Sequence, residues 1–146
     1  MRKPSGLIIY LDTSVLVPLL IDDAFTQRAR QFLITQRRIL VISDIAAAEF
    51  VAVITRRLRT GLLTEADARA ALFTLDAWSS DAAQRIECRP ADIAMAIAFM
   101  RRLDLPLRTM DAIHIAVARR VDAELATFDV QMQTNSRALG VAVAAV

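Results

Sequence analysis

The chain has 146 residues, of which 55% are hydrophobic, with 3 Gly and 4 Pro. That composition supports one domain with a sizeable core and excludes a disordered chain. A single cysteine, Cys88, excludes an intramolecular disulfide, so the chain is expected in the cytoplasm with Cys88 packed as a small apolar group. The net charge is only +2, but its cations are nearly all arginine, clustered at Arg37 and Arg38, at Arg56, Arg57 and Arg59, at Arg101 and Arg102, and at Arg119 and Arg120. Such clusters are compatible with phosphate or an acidic partner, and equally with solvated helix ends.

Arg2 and Lys3 precede an apolar run, as in a secretory leader. Asp12, Thr13, Ser14 and Pro18 interrupt that run, so neither a leader nor a membrane span is expected. Leu7 to Leu11 reads as a buried strand. Ser14 to about Ile21 reads as a short helix with Pro18 near its first turn. A second helix runs from Asp22 or Asp23 to about Gln36, and Ile39 to Ile42 is a second strand. Ser43 or Asp44 caps a helix that continues to about Arg59 and ends at Thr60-Gly61. Thr64, with Asp67 three residues on, opens a helix to about Trp78. Ile86 to Cys88 is a short strand, and Pro90 starts a helix to about Leu103. Then follow a helix from Thr109 to Arg120, a strand from Glu124 to Thr127, a helix from Asp129 to about Leu139, and a last strand from Val141 to Val143.

No linker, repeat or low-complexity segment divides the chain, so residues 1–146 are expected to form one domain. The alternation of strands and helices predicts an α/β fold with a central parallel sheet and helices on both faces. Ligands of such folds bind beyond the carboxyl ends of the strands.

Four acids stand where polarity is unexpected. Asp12 ends an apolar strand, Glu49 lies in the apolar helix "DIAAAEFVAVI", Asp111 in "TMDAIHIAVA", and Asp129 directly follows a strand in "ATFDVQM". Each has a plainer use: Asp12 and Asp129 as helix caps, Glu49 on an exposed helix edge, and Asp111 at a helix start where the dipole favours a carboxylate. The plain uses weaken together, because Asp12 and Asp129 fall on the same edge of the sheet. Two carboxylates about 4 Å apart repel by about 4 kcal/mol at an effective dielectric of ~20, so such a cluster must hold protons or cations. Oxygen-only donors select Mg²⁺ or Mn²⁺, ions suited to phosphodiester cleavage. The single histidine, His114, reads either as a packed, hydrogen-bonded side chain or as a ligand or base. No other His or Cys stands at zinc-ligand spacing, and there is no Gly-rich phosphate loop or nucleophile elbow.

The succession "YLDTSVLV", "DIAAAEF", "LRTMDAIHIAVA" and "LATFDVQM" resembles the PIN domain, and most of all the VapC toxins of bacterial toxin–antitoxin pairs, over about Ile8 to Val143. The resemblance implies a three-layer α/β/α sandwich and an Mg²⁺- or Mn²⁺-dependent endoribonuclease held in check by a VapB-type antitoxin. It places the acidic quartet on Asp12, Glu49, Asp111 and Asp129, with Asp12 and Asp111 as the main metal ligands. It also places supporting hydroxyls on Ser14 and Thr127. Met132 stands where such toxins usually carry an aromatic or Leu. A homodimer is expected as well, with "AAAEFVAVI" and "ALFTLDAW" supplying surplus apolar surface. The alternatives are a nuclease of the same fold working in RNA processing or on structured nucleic acid, and a regulatory binding module that acts only in a partner complex.

Overall fold

A computed structural model describes residues 7–146; Arg2, Lys3 and the start of the expected domain lie outside the described residues. Chain order is β1 (Ile8–Leu11), α1 (Thr13–Leu20), α2 (Thr26–Thr35), β2 (Ile39–Ser43), α3 (Asp44–Arg59), α4 (Glu65–Asp81), β3 (Gln84–Ile86), α5 (Pro90–Met100), α6 (Thr109–Arg120), β4 (Glu124–Ala126) and α7 (Val130–Ala138). The strands form one parallel sheet in the order β3-β2-β1-β4. Ile9 pairs with Leu40 on one side of β1 and with Glu124 on the other.

Strand side chains alternate between two layers, as the period of 2 requires. Ile9, Leu11, Ile42 and Ala126 face a core shared with Val15, Leu16, Ala29, Phe50, Ile54 and Leu75 of α1 to α4. Tyr10, Val41 and Leu125 face a second core with Phe99, Ile115, Val117 and Met132 of α5 to α7, and with Leu139 just after α7. The result is the α/β/α sandwich that the strand–helix alternation predicts.

The sheet grows from β1 through β2 to β3, then crosses back to place β4 on the other side of β1. The switch point therefore lies beyond the carboxyl ends of β1 and β4, where Asp12 and Asp129 follow their strands. The Asp12 N–H donates to the Ala126 carbonyl at 3.2 Å, so the two strands stay paired up to the first acid.

The third strand lies at Gln84–Ile86 rather than Ile86 to Cys88, and α2 starts at Thr26 rather than Asp22 or Asp23. Three further local expectations change. The last strand is reduced to one parallel bridge between Leu125 and Val143, because Val141 to Val143 meets β4 at its outer edge only there. Pro18 falls in the second turn of α1, since the Asp12 cap starts that helix at Thr13. The α5 helix stops at Met100; Leu103 has a φ of 64° and is 90% exposed, so it turns the chain rather than packing.

A candidate active site at the switch point

Asp12 does both of the things its position suggests. It is the N-cap of α1, with Oδ1 accepting from the Val15 N–H at 3.3 Å, and it also lines a cavity of about 160 Å³. Glu49, Asp111, Asp129, Ser14, Arg108 and His114 line the same cavity. Four separate helices thus carry or follow the four acids. Asp12 caps α1, Glu49 sits in the second turn of α3, Asp111 in the first turn of α6, and Asp129 caps α7 through the Met132 N–H at 3.0 Å. The helix starts at Asp12, Asp111 and Asp129 also bring positive dipole ends toward the carboxylates.

Around Asp12 the hydroxyls are interlocked. Ser14 Oγ donates to Asp12 Oδ1 at 2.7 Å, lies 3.2 Å from Thr127 Oγ1, and accepts the Phe128 N–H at 2.9 Å. Thr127 is fully buried and its Oγ1 accepts the Asp129 N–H at 3.1 Å, so it fixes the Asp129 backbone from beneath and does not itself line the cavity. Asp12 is only 4% exposed. Burial pushes its carboxyl up, against the opposing hydrogen bonds of Ser14 and Thr127. An ionised carboxylate so placed calls for a cation.

Glu49 has the opposite balance. Burial acts to raise its carboxyl, but His114, Thr13 and the charge of Arg108 outweigh it and hold the group below its ordinary value. Thr13 Oγ1 donates to Glu49 Oε1 at 2.8 Å, and His114 Nε2 contacts the same oxygen.

Asp111 and Asp129 share one arginine. Arg108 Nε donates to Asp111 Oδ2 at 3.0 Å and Nη2 donates to Asp129 Oδ2 at 3.1 Å. These contacts leave no group of three acids or histidines, among the described residues, close enough to hold one ion in their present rotamers. The donor set itself fits a hard divalent ion: every acid donor is oxygen, four formal negative charges meet on one cavity, and a cation already sits between two of them.

All four sequence-predicted acids and Ser14 meet at one cavity. Arg108 and Thr13 are additions to the lining, and Tyr10 joins it from behind through His114 Nδ1. Arg108 was legible as a cation three residues before Asp111, and Tyr10 as the one hydroxyl in the strand "IIYL".

The PIN domain pattern matches residues 9–137 of the chain. Ribonuclease VapC46 of Mycobacterium tuberculosis is 34% identical over 140 residues, spanning 94% of this chain and 96% of that protein. Among solved structures, VapC20 of Mycobacterium tuberculosis, a sarcin-ricin loop cleaving toxin, superposes with a TM-score of 0.71 at 20% identity over 86% of this chain and 93% of its own. A toxin–antitoxin complex from Klebsiella pneumoniae gives a TM-score of 0.58 at 23% identity over 86% and 89%. The two solved structures share the fold, while the matched pattern spans the strands and helices that deliver all four acids. The chain belongs to the PIN-domain family, in its VapC branch.

Proposed function

We propose that this protein is a divalent-metal-dependent endoribonuclease, the toxin of a toxin–antitoxin pair. The observation that carries this reading is the convergence of Asp12, Glu49, Asp111 and Asp129 on one cavity at the sheet's switch point. Asp12 and Asp111 are the main ligands for Mg²⁺ or Mn²⁺, with Asp129 completing the acidic wall. When bound, such an ion generates a nucleophilic water and offsets charge on the phosphate and the leaving oxygen. Ser14 keeps Asp12 Oδ1 aimed, and Thr127 keeps the start of α7 in place. Glu49, held ionised below its ordinary range, is suited to orienting water or a cation rather than to storing a proton. Arg108, with a side chain 77% exposed at the rim, is free to swing from the acids to an RNA phosphate.

RNA as substrate is supported by the ribonuclease name of the relative, and a VapB-type antitoxin by the toxin–antitoxin complex of similar fold. A homodimer is supported by exposed apolar side chains such as Phe73 at 75%, Ile97 at 47% and Met95 at 40%. We take residues 1–146 as one domain. Among the described residues no helix is long and apolar enough to cross a membrane, and we place the protein in the cytoplasm on its single cysteine.

The test is cleavage of purified RNA by antitoxin-free protein in Mg²⁺, Mn²⁺ or EDTA, beside Asp12→Ala and Asp111→Ala. Discrete fragments that need metal and vanish in both variants are expected. Fragments that survive EDTA or both substitutions would remove the acidic cavity from the reaction.

A further inference from the structure

Behind Glu49 lies a line of buried polar groups that the metal site does not use. His114 is 3% exposed and Tyr10 and Ser43 have no exposure. Ser43 Oγ lies 2.7 Å from Tyr10 Oη, Tyr10 Oη lies 2.5 Å from His114 Nδ1, and His114 Nε2 contacts Glu49 Oε1. Ser43 caps α3 by accepting the Ala46 N–H at 3.0 Å, which leaves its own hydroxyl proton to donate.

Proton accounting along this line has one consistent solution. The Ser43 hydroxyl donates to Tyr10 Oη, and the Tyr10 hydroxyl donates to Nδ1. The neutral imidazole then carries its proton on Nε2, where the Glu49 carboxylate can only accept. The reverse direction strands the Ser43 proton, in a side chain with no exposure, without an acceptor among the described residues. It also turns an Nε2 lone pair onto a carboxylate. A stranded buried donor is costly, and the forward direction leaves none.

We propose that His114 is a positioning residue for Glu49, locked as the Nε2–H tautomer by the Tyr10–Ser43 pair. Both recorded bonds to Glu49, from Thr13 and from His114, fall on Oε1. Oε2 is thereby presented to the cavity. A glutamate has three side-chain torsions to fix, and at 31% exposure it would otherwise move in solvent. The line also ties β1, β2 and α3 to α6, so the carboxylate's place is set by both layers of the sandwich. This inference rests on the nuclease reading for its catalytic meaning, but the tautomer does not.

The chain holds one histidine. Ring ¹⁵N labelling of the intact protein therefore gives two imidazole nitrogen signals, with Nε2 told from Nδ1 by its strong couplings to both ring carbon-bound protons. At neutral pH the expected spectrum has an unprotonated, pyridine-like Nδ1 and a protonated, pyrrole-like Nε2. A protonated Nδ1 overturns the proposal. In cleavage assays His114→Ala is expected to lower kcat by about tenfold or more with KM for RNA nearly unchanged, since misplacing a reacting group by about 1 Å costs about that much or more. His114→Gln, which restores a donor near Nε2, should recover most of that loss, and Tyr10→Phe should lose the fixed tautomer while keeping the ring. A His114→Ala protein that folds and cleaves like the parent, or a loss that follows Tm and is not rescued by Gln, overturns it. Failure of the parent protein to cleave any RNA would instead sink the nuclease reading, and the tautomer would still be read without turnover.

Discussion

The guanidinium of Arg108 and the carboxylate of Asp129, 21 positions apart in sequence, meet at 3.1 Å across the mouth of the acidic cavity. Because the same guanidinium also holds Asp111, it would compete with a metal ion for two carboxylates under the proposed function. The arginine is 77% exposed, and an exposed ion pair is worth about 1 kcal/mol or less. With two such pairs, Arg108→Met should bind Mn²⁺ more tightly by about thirtyfold at most, read by titration calorimetry. Weaker binding in the variant would show that Arg108 holds the acids in place for the ion rather than competing with it.

Asp12 and Glu49 pull the acid stability of the metal-free protein in opposite directions. Burial raises the Asp12 carboxyl above its ordinary 3.8, so the folded state binds its proton more tightly than the unfolded chain. The cost of ionising it is fully present above the raised value and disappears as pH falls to 3.8. Glu49 lies below its ordinary 4.5, so its contribution stabilises above that pH and is lost as pH falls through the lowered value. In EDTA, Asp12→Asn should melt higher than the parent at neutral pH, and the gap should close on acidification. Glu49→Gln should melt lower at neutral pH, and its deficit should shrink below 4.5. A lower Tm for Asp12→Asn at neutral pH would mean that the charge-assisted bonds from Ser14 and Val15 to the carboxylate outweigh the cost of burying its charge.

A control lies on the far side of α6. Asp92 is 2% exposed, with Oδ1 accepting from Arg120 Nε at 2.8 Å and Oδ2 from the Arg89 N–H at 2.8 Å. Removing one partner of a buried pair costs about 3–5 kcal/mol; Arg120 is 24% exposed and can rehydrate, so Asp92→Ala should cost about 2–4 kcal/mol. That corresponds to a fall in Tm of about 5–15 °C. Cleavage by the still-folded variant should be unchanged. Lost cleavage at unchanged Tm would tie this pair to the site.

The elements were readable because each carries its own local signal. The Thr109–Arg120 helix has an acid in its first turn and arginines in its last, and its bounds are those the sequence predicts. The four acids were readable because charge on an apolar strand end or helix is costly enough to need a reason. What the sequence hid was partnership. Nothing local says that His114 faces Glu49 and not Asp111, three residues away on its own helix, because that depends on how α6 meets α3 across the sheet. The Val141–Val143 strand misled because three apolar residues look alike whether they form a ladder or one bridge.

The strand order has a consequence for the chain during its synthesis. The first acid, Asp12, ends a central strand whose neighbour on one side, Glu124–Ala126, comes more than a hundred residues later. The second layer of the sandwich begins only at Pro90, and the fourth acid comes after β4. A growing polypeptide therefore has no assembled cavity until residue 129 has left the ribosome. Fragments that stop short of Asp129 would carry at most three of the acids, and those that stop before Glu124 would lack the strand that completes the switch point.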